Sequence, residues 1–271
     1  MMIEKFLLPN VIQAFMICIA AAAATMLGAS AIFNTNRSNP RLLAFGLAFA
    51  GGAMVYVSLV EIFNKSVESF SEAFPDKTAY FFATLAFFSG VFLIALLDNL
   101  IPNPNNKLTK PNIDPEHVDD KKHLKKVGLL AAMAITAHNF PEGMATFFSS
   151  LEDPVMGASL AFVIAIHNIP EGISIAVPVY YATNNKRYAL LACLVSAIAE
   201  PLGAAIGYFL LAQYLSPFVF GGVFGFIAGV MVFLALDELL PCAKRYAQGH
   251  DTVYGMITGM GSIALSLVLL R

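Results

Sequence analysis

At 271 residues, with 58% hydrophobic and 13% charged, the chain is too apolar for an ordinary soluble domain and long enough for several membrane spans. A formal net charge of −2 gives no sign of the basic surface that nucleic-acid binding needs. Cys18, Cys193 and Cys242 lie in apolar surroundings without a C-x-x-C pair, so neither a disulfide framework nor a thiolate metal site is indicated.

Apolar runs of about 20 residues mark membrane helices. In chain order they fall at 9–33, 41–63, 78–101, 126–149, 154–182, 187–212, 217–241 and 252–270, which makes eight spans. The first is too long for a secretory signal and lacks a cleavage-site pattern, so it reads as a retained helix. Pro, Asn and charge collect in the breaks at 34–40, 75–77 and 184–187. One long connection, about 102–125, is rich in Pro, Asn, Asp and Lys and reads as a solvated loop. Gly203 and Gly207, then Gly221, Gly225 and Gly229, then Gly255 and Gly259 recur at four-residue spacing. Such spacing lets helix backbones approach closely.

Basic residues set the expected orientation. With alternating spans, Lys5, Lys65, Lys77 and Arg271 fall on one side and the other twelve of the sixteen on the opposite side. The richer side is the cytoplasmic one. Both termini are therefore expected outside and the long loop in the cytoplasm of a multi-pass cell-membrane protein.

Two of these spans carry the same polar string: His138-Asn139-Phe140-Pro141-Glu142-Gly143 and His167-Asn168-Ile169-Pro170-Glu171-Gly172. A helix rises about 1.5 Å per residue, so the middle of a ~30 Å core lies about ten residues in. His138 stands about twelve residues past Lys126, His167 about thirteen past Pro154, and Glu200 about thirteen past Arg187. All three lie near the midplane on consecutive helices. His and Glu at i and i+4 share one helix face, as do Asn and Glu at i and i+3. Imidazole, amide oxygen and carboxylate together suit a divalent first-row cation. Ionisable groups at that depth are costly and mark function. Glu200 alone reads equally as a helix-to-helix hydrogen bond; its depth favours a ligand. Pro141 and Pro170 each remove a backbone donor, and irregular backbone at depth is tolerated beside a polar cavity. Spans four and five run antiparallel, so identical motifs on them imply an inverted, pseudo-two-fold site.

The paired HNFPEG and HNIPEG strings, the Ala199-Glu200-Pro201 step, eight spans and a long third loop resemble the ZIP (ZRT/IRT-like) metal transporters. The resemblance covers essentially the whole chain. It implies an all-α polytopic bundle of eight transmembrane helices in an inverted 3+2+3 arrangement, one transporter domain over 1–271. It implies uptake of Zn²⁺, with Fe²⁺, Mn²⁺, Co²⁺ and Cd²⁺ as further candidate substrates, through a two-metal site. Carried onto this sequence, one metal is held by His138, Glu142, His167 and Glu171. The second is held by Asn139, Asn168 and Glu200, with Glu142 and Glu171 bridging. Partners are then the metal ions, the lipid bilayer and, as a candidate, a second copy of the chain. Glu61, near the outer end of span two, is a candidate entrance residue. Asp98, Asp237 and Glu238, near the inner ends of spans three and seven, are candidate exit residues. The alternative for each is a charge that simply ends a helix. With only His117 and His123 in the long loop, a metal-tethering role there is the weaker reading. The rival classes are a membrane di-metal carboxylate enzyme and a metal sensor without flux. Di-iron bundles use Glu-x-x-His and metalloproteases His-Glu-x-x-His, neither of which is the order here.

Overall fold

A computed structural model describes residues 8–33, 40–100, 136, 139–211, 214 and 216–270. The described backbone is helical apart from short turns, as lipid demands, since each polar backbone group must be satisfied within its own segment. The helices are α1 (Leu8–Ala29), α2 (Pro40–Val57), α3 (Phe63–Ser71), α4 (Asp76–Leu100), α5 (139–152), α6 (Pro154–Thr183), α7 (Lys186–Leu211), α8 (Pro217–Leu234), α9 (Leu240–Tyr246) and α10 (Asp251–Leu270). A single π-helical turn, Ser58–Ile62, joins α2 to α3, and another, Ala235–Leu239, joins α8 to α9. Among the described residues, seven helical stretches are long and apolar enough to cross a membrane. Part of the fourth span predicted from sequence, 126–138 apart from Thr136, and the long loop 102–125 lie outside the described residues.

Local chemistry sets the helix ends. Asp153 caps α6 by accepting from the backbone N–H of Val155 at 2.8 Å and Met156 at 3.1 Å, with Pro154 in the first turn. Ser216 and Pro217 do the same for α8. Asn184 ends α6 in the left-handed conformation, φ 49°. Phe92, Phe209, Leu210, Val268 and Leu269 point outward, where lipid solvates them.

Two spans are longer than their hydropathy predicts. Span two runs to Ser71 and span seven to Tyr246. Apolar counting stops where polar residues begin, yet Ser58, Glu61, Lys65, Ser66 and Ser69 are all buried here. Helix–helix contact buries them: the Ser66 hydroxyl donates to the Gly221 carbonyl of α8 at 2.6 Å.

The bundle is an inverted repeat. In the first three spans, α1, α2–π–α3 and α4 match α7, α8–π–α9 and α10, with α5 and α6 exchanged between them. The proof is in the close contacts. A Cβ on Gly52 of α2 would strike the Met256 carbonyl of α10, and one on Gly259 would strike Phe49. The copy of that pair is Gly229 of α8 on the Phe87 carbonyl of α4, and Gly90 on Phe226. Likewise Gly28 of α1 abuts the Ile169 carbonyl of α6, as Gly203 of α7 abuts Phe140 of α5. Glu61 and Glu238 hold the same place in the two π turns. The motif-bearing α5 and α6 pack with α1 and α7, while α2, α4, α8 and α10 pair around them. Helix α6 is central, with 65% of its apolar window buried against 11% for the outlying α4.

Candidate metal centre

Helices α5 and α6 present their motifs to each other across the bundle centre. Asn139, Glu142, His167, Asn168, Glu171 and Glu200 are all buried, none more than 4% exposed. The His167 Nε2 and Glu142 Oε1 atoms are 3.1 Å apart. Among the described residues, Glu142, His167 and Glu171 bring their ligand atoms within 4.8 Å of one another. Bonds of about 2.1 Å to one ion need ligand atoms roughly 3–4 Å apart, which small side-chain rotations supply. Glu200 joins through Asn168, whose Nδ2 donates to its Oε1 at 2.6 Å. The charges of both Glu142 and Glu200 act on Glu171, so the six residues form one cluster.

Each motif is pinned by the outer helix beside it. Asn168 Nδ2 also donates to the Ala21 carbonyl of α1 at 3.1 Å. Asn139 Nδ2 donates to the Ser196 carbonyl and hydroxyl of α7, both at 3.1 Å. The thiol of Cys18 donates to the Gly143 carbonyl, and that of Cys193 to the Gly172 carbonyl. A side chain at either motif glycine is impossible without movement: a Cβ on Gly143 would strike the Glu200 carbonyl, and one on Gly172 the Thr25 carbonyl. Helix α6 runs through Pro170 without interruption, and α7 through Pro201. The irregular backbone expected at Pro170 is found instead in the two π turns on neighbouring helices, and Ala137, whose carbonyl Pro141 would leave free, lies outside the described residues.

Electrostatics then favour a cation. Glu142 Oε2, Glu171 Oε1, Glu200 Oε2, Asn139 Oδ1 and Asn168 Oδ1 are buried and accept no hydrogen bond from the described residues. Leaving such an acceptor unmet costs about 1–3 kcal/mol, and more when it is charged. Three carboxylates in an apolar interior stay ionised together only with positive charge beside them. An ion binding oxygen and imidazole nitrogen supplies it, and the donor set, free of thiolate, suits Zn²⁺, Fe²⁺, Mn²⁺ or Co²⁺.

His138 lies outside the described residues. Glu61 is buried in the first π turn, well inside its span rather than at the outer end. Asp237 is exposed and Glu238 half-buried in the second π turn, again short of the helix end. Asp98 sits in the last turn of α4. Sequence reasoning passed over Thr25, Ser196, Cys18 and Cys193, which frame the motifs. Small polar residues in alanine-rich helices carry no signal of their own; only the contacts reveal them.

Comparison with known proteins gives the chain's relatives. A family model described as ZIP Zinc transporter matches residues 7–267. A protein of Stenotrophomonas maltophilia named Zinc transporter ZupT is 60% identical over 263 residues, covering 97% of both chains. A Neisseria meningitidis protein of the same name is 58% identical over 265 residues, 97% of this chain and 98% of its own. In Nitratidesulfovibrio vulgaris a further protein so named is 44% identical over 270 residues, 96% of this chain and 98% of its own.

Proposed function

The chain belongs to the ZIP zinc transporter family, and on that premise we propose that it carries Zn²⁺ across the cell membrane into the cytoplasm. The observation that carries the reading is the buried Glu142, His167 and Glu171 cluster, ligand atoms within 4.8 Å, in the centre of a multi-pass bundle. His138, Glu142, His167 and Glu171 hold one ion. Asn139, Asn168 and Glu200 hold a second, with Glu142 and Glu171 between the two. Ligands drawn from antiparallel helices let the ion be approached from either membrane face, as transport requires and a resident cofactor does not. Fe²⁺, Mn²⁺, Co²⁺ and Cd²⁺ are further substrates, since geometry and availability rather than donor type separate them. The long loop lies in the cytoplasm and the chain acts as one transmembrane unit.

The test is radiozinc uptake into proteoliposomes holding the purified protein. Wild type accumulates zinc above protein-free vesicles, and Glu171→Ala does not. Metal that binds the wild type yet never enters the vesicle lumen would mark a sensor instead.

A further inference from the structure

The inverted repeat makes every contact at the metal centre one of a pair, and one pair is chemically unequal. Cys18, Ala21 and Gly28 of α1 stand to Cys193, Ser196 and Gly203 of α7 at a single constant offset. The two sets make matching contacts: each thiol with the motif glycine carbonyl of the farther motif helix (α5 for Cys18, α6 for Cys193), and, on the nearer one, the backbone carbonyl with the motif asparagine and the glycine with the residue before the motif proline. At that same offset, Thr25 corresponds to Glu200. The carbonyls confirm it, because the Thr25 carbonyl faces Gly172 as the Glu200 carbonyl faces Gly143.

The hydroxyl of Thr25 is fully buried and has no hydrogen-bond partner among the described residues. A helical threonine can satisfy its hydroxyl by donating to the carbonyl four residues back. Thr84, Thr183 and Thr258 do so, to Tyr80 at 2.8 Å and to Val179 and Tyr254 at 2.7 Å, whereas Thr146 of α5 is, like Thr25, buried without a partner among the described residues. For Thr25 that carbonyl belongs to Ala21 and already accepts from Asn168.

Six of the unmet oxygens form two mirrored triads. One comprises Glu200 Oε2, Asn168 Oδ1 and Glu142 Oε2; the repeat maps these onto Thr25 Oγ1, Asn139 Oδ1 and Glu171 Oε1. We propose that Thr25 is a further metal-site residue: its hydroxyl offers a neutral oxygen, directly or through a metal-bound water, on the side of the centre opposite Glu200. A neutral hydroxyl in one half and a carboxylate in the other makes the centre electrically lopsided. The charged half holds the second cation, and the Thr25 half tunes selectivity toward oxygen-seeking ions without holding a third. The inference rests on the reading of this cluster as a metal centre.

Equilibrium dialysis of the full-length protein in lipid nanodiscs against Zn²⁺ and, separately, Mn²⁺ tests it. Thr25→Val keeps the shape and removes the hydroxyl; Thr25→Ser keeps the hydroxyl. The expected result is about tenfold weaker Mn²⁺ binding in Thr25→Val, a smaller loss for Zn²⁺, and wild-type affinities in Thr25→Ser. Thr25→Glu, where it assembles, should bind one more Zn²⁺ per protomer. Thr25→Val matching wild type for both metals overturns the proposal. So does Thr25→Ser failing as Thr25→Val does, because packing rather than oxygen would then be at issue. Wild type that binds neither metal overturns the metal-centre reading itself, a distinct outcome from wild-type binding indifferent to Thr25.

Discussion

His167 and Glu142 share a contact of 3.1 Å in a place where neither finds water, so removal of either leaves the other stranded. His167→Ala or Glu142→Ala is expected to cut the initial rate of radiozinc uptake by about 100-fold or more, with the protein still in the membrane fraction. A rate within twofold of wild type in either variant would remove that residue from the centre. Glu200 behaves differently. Its Oε1 accepts from Asn168 at 2.6 Å, and glutamine keeps that acceptor while losing the charge. Glu200→Gln should therefore lower zinc uptake by about tenfold and alter the order of preferred metals, without abolishing transport. A Glu200→Gln variant as inactive as His167→Ala would show that the two ion positions work as one unit.

At the scale of helices, contact depends on the absence of side chains. Gly143 and Gly172 sit against backbone atoms, which cannot swing aside as a side chain can. Gly143→Ala or Gly172→Ala must push α5 from α7 or α6 from α1, a strain of about 1–3 kcal/mol. We expect lower melting temperatures and at least tenfold slower uptake for both. Gly222→Ala and Gly261→Ala, at positions with open space, should match wild type in both measurements. Equal behaviour of all four variants would refute the packing argument. The helices themselves were legible in the sequence, because an apolar run of span length has few other uses; α6 and α7 match their predicted limits to within a residue. So were the paired motifs, since polar strings inside such runs stand out. The π turns were not. Ser58–Ile62 and Ala235–Leu239 read as ordinary helix, and the extra residue in the turn is set by tertiary packing. Nor was the Thr25–Glu200 correspondence, because a threonine and a glutamate look unrelated until the matching contacts of their carbonyls are seen.

For the whole molecule, the helix ends sort into two groups. Arg41, at the start of α2, makes a two-pronged ion pair with Asp251 at the start of α10, both bonds 2.9 Å. That carboxylate holds the Arg41 guanidinium above its ordinary pKa. Lys186, at the start of α7, lies 5.3 Å over the ring of Phe33 just past α1 and 5.9 Å over that of Tyr180 near the end of α6. With alternating spans these ends share one face. Ser69, near the end of α3, contacts Glu152 at the end of α5 at 3.5 Å, on the other face. The connections on the first face carry most of the basic residues, so that face is expected in the cytoplasm. Cysteine labelling in intact cells tests this. Glu72 and Gln248 are exposed and lie at opposite faces. Cys18 and Cys193 are buried, so a Cys242→Ser background leaves little native reactivity. An impermeant maleimide should label Glu72→Cys in intact cells, and Gln248→Cys only after the membrane is opened. The reverse pattern would invert the direction of the whole path. It would leave the metal centre where it is but make Glu61, the expected entrance residue, an exit one.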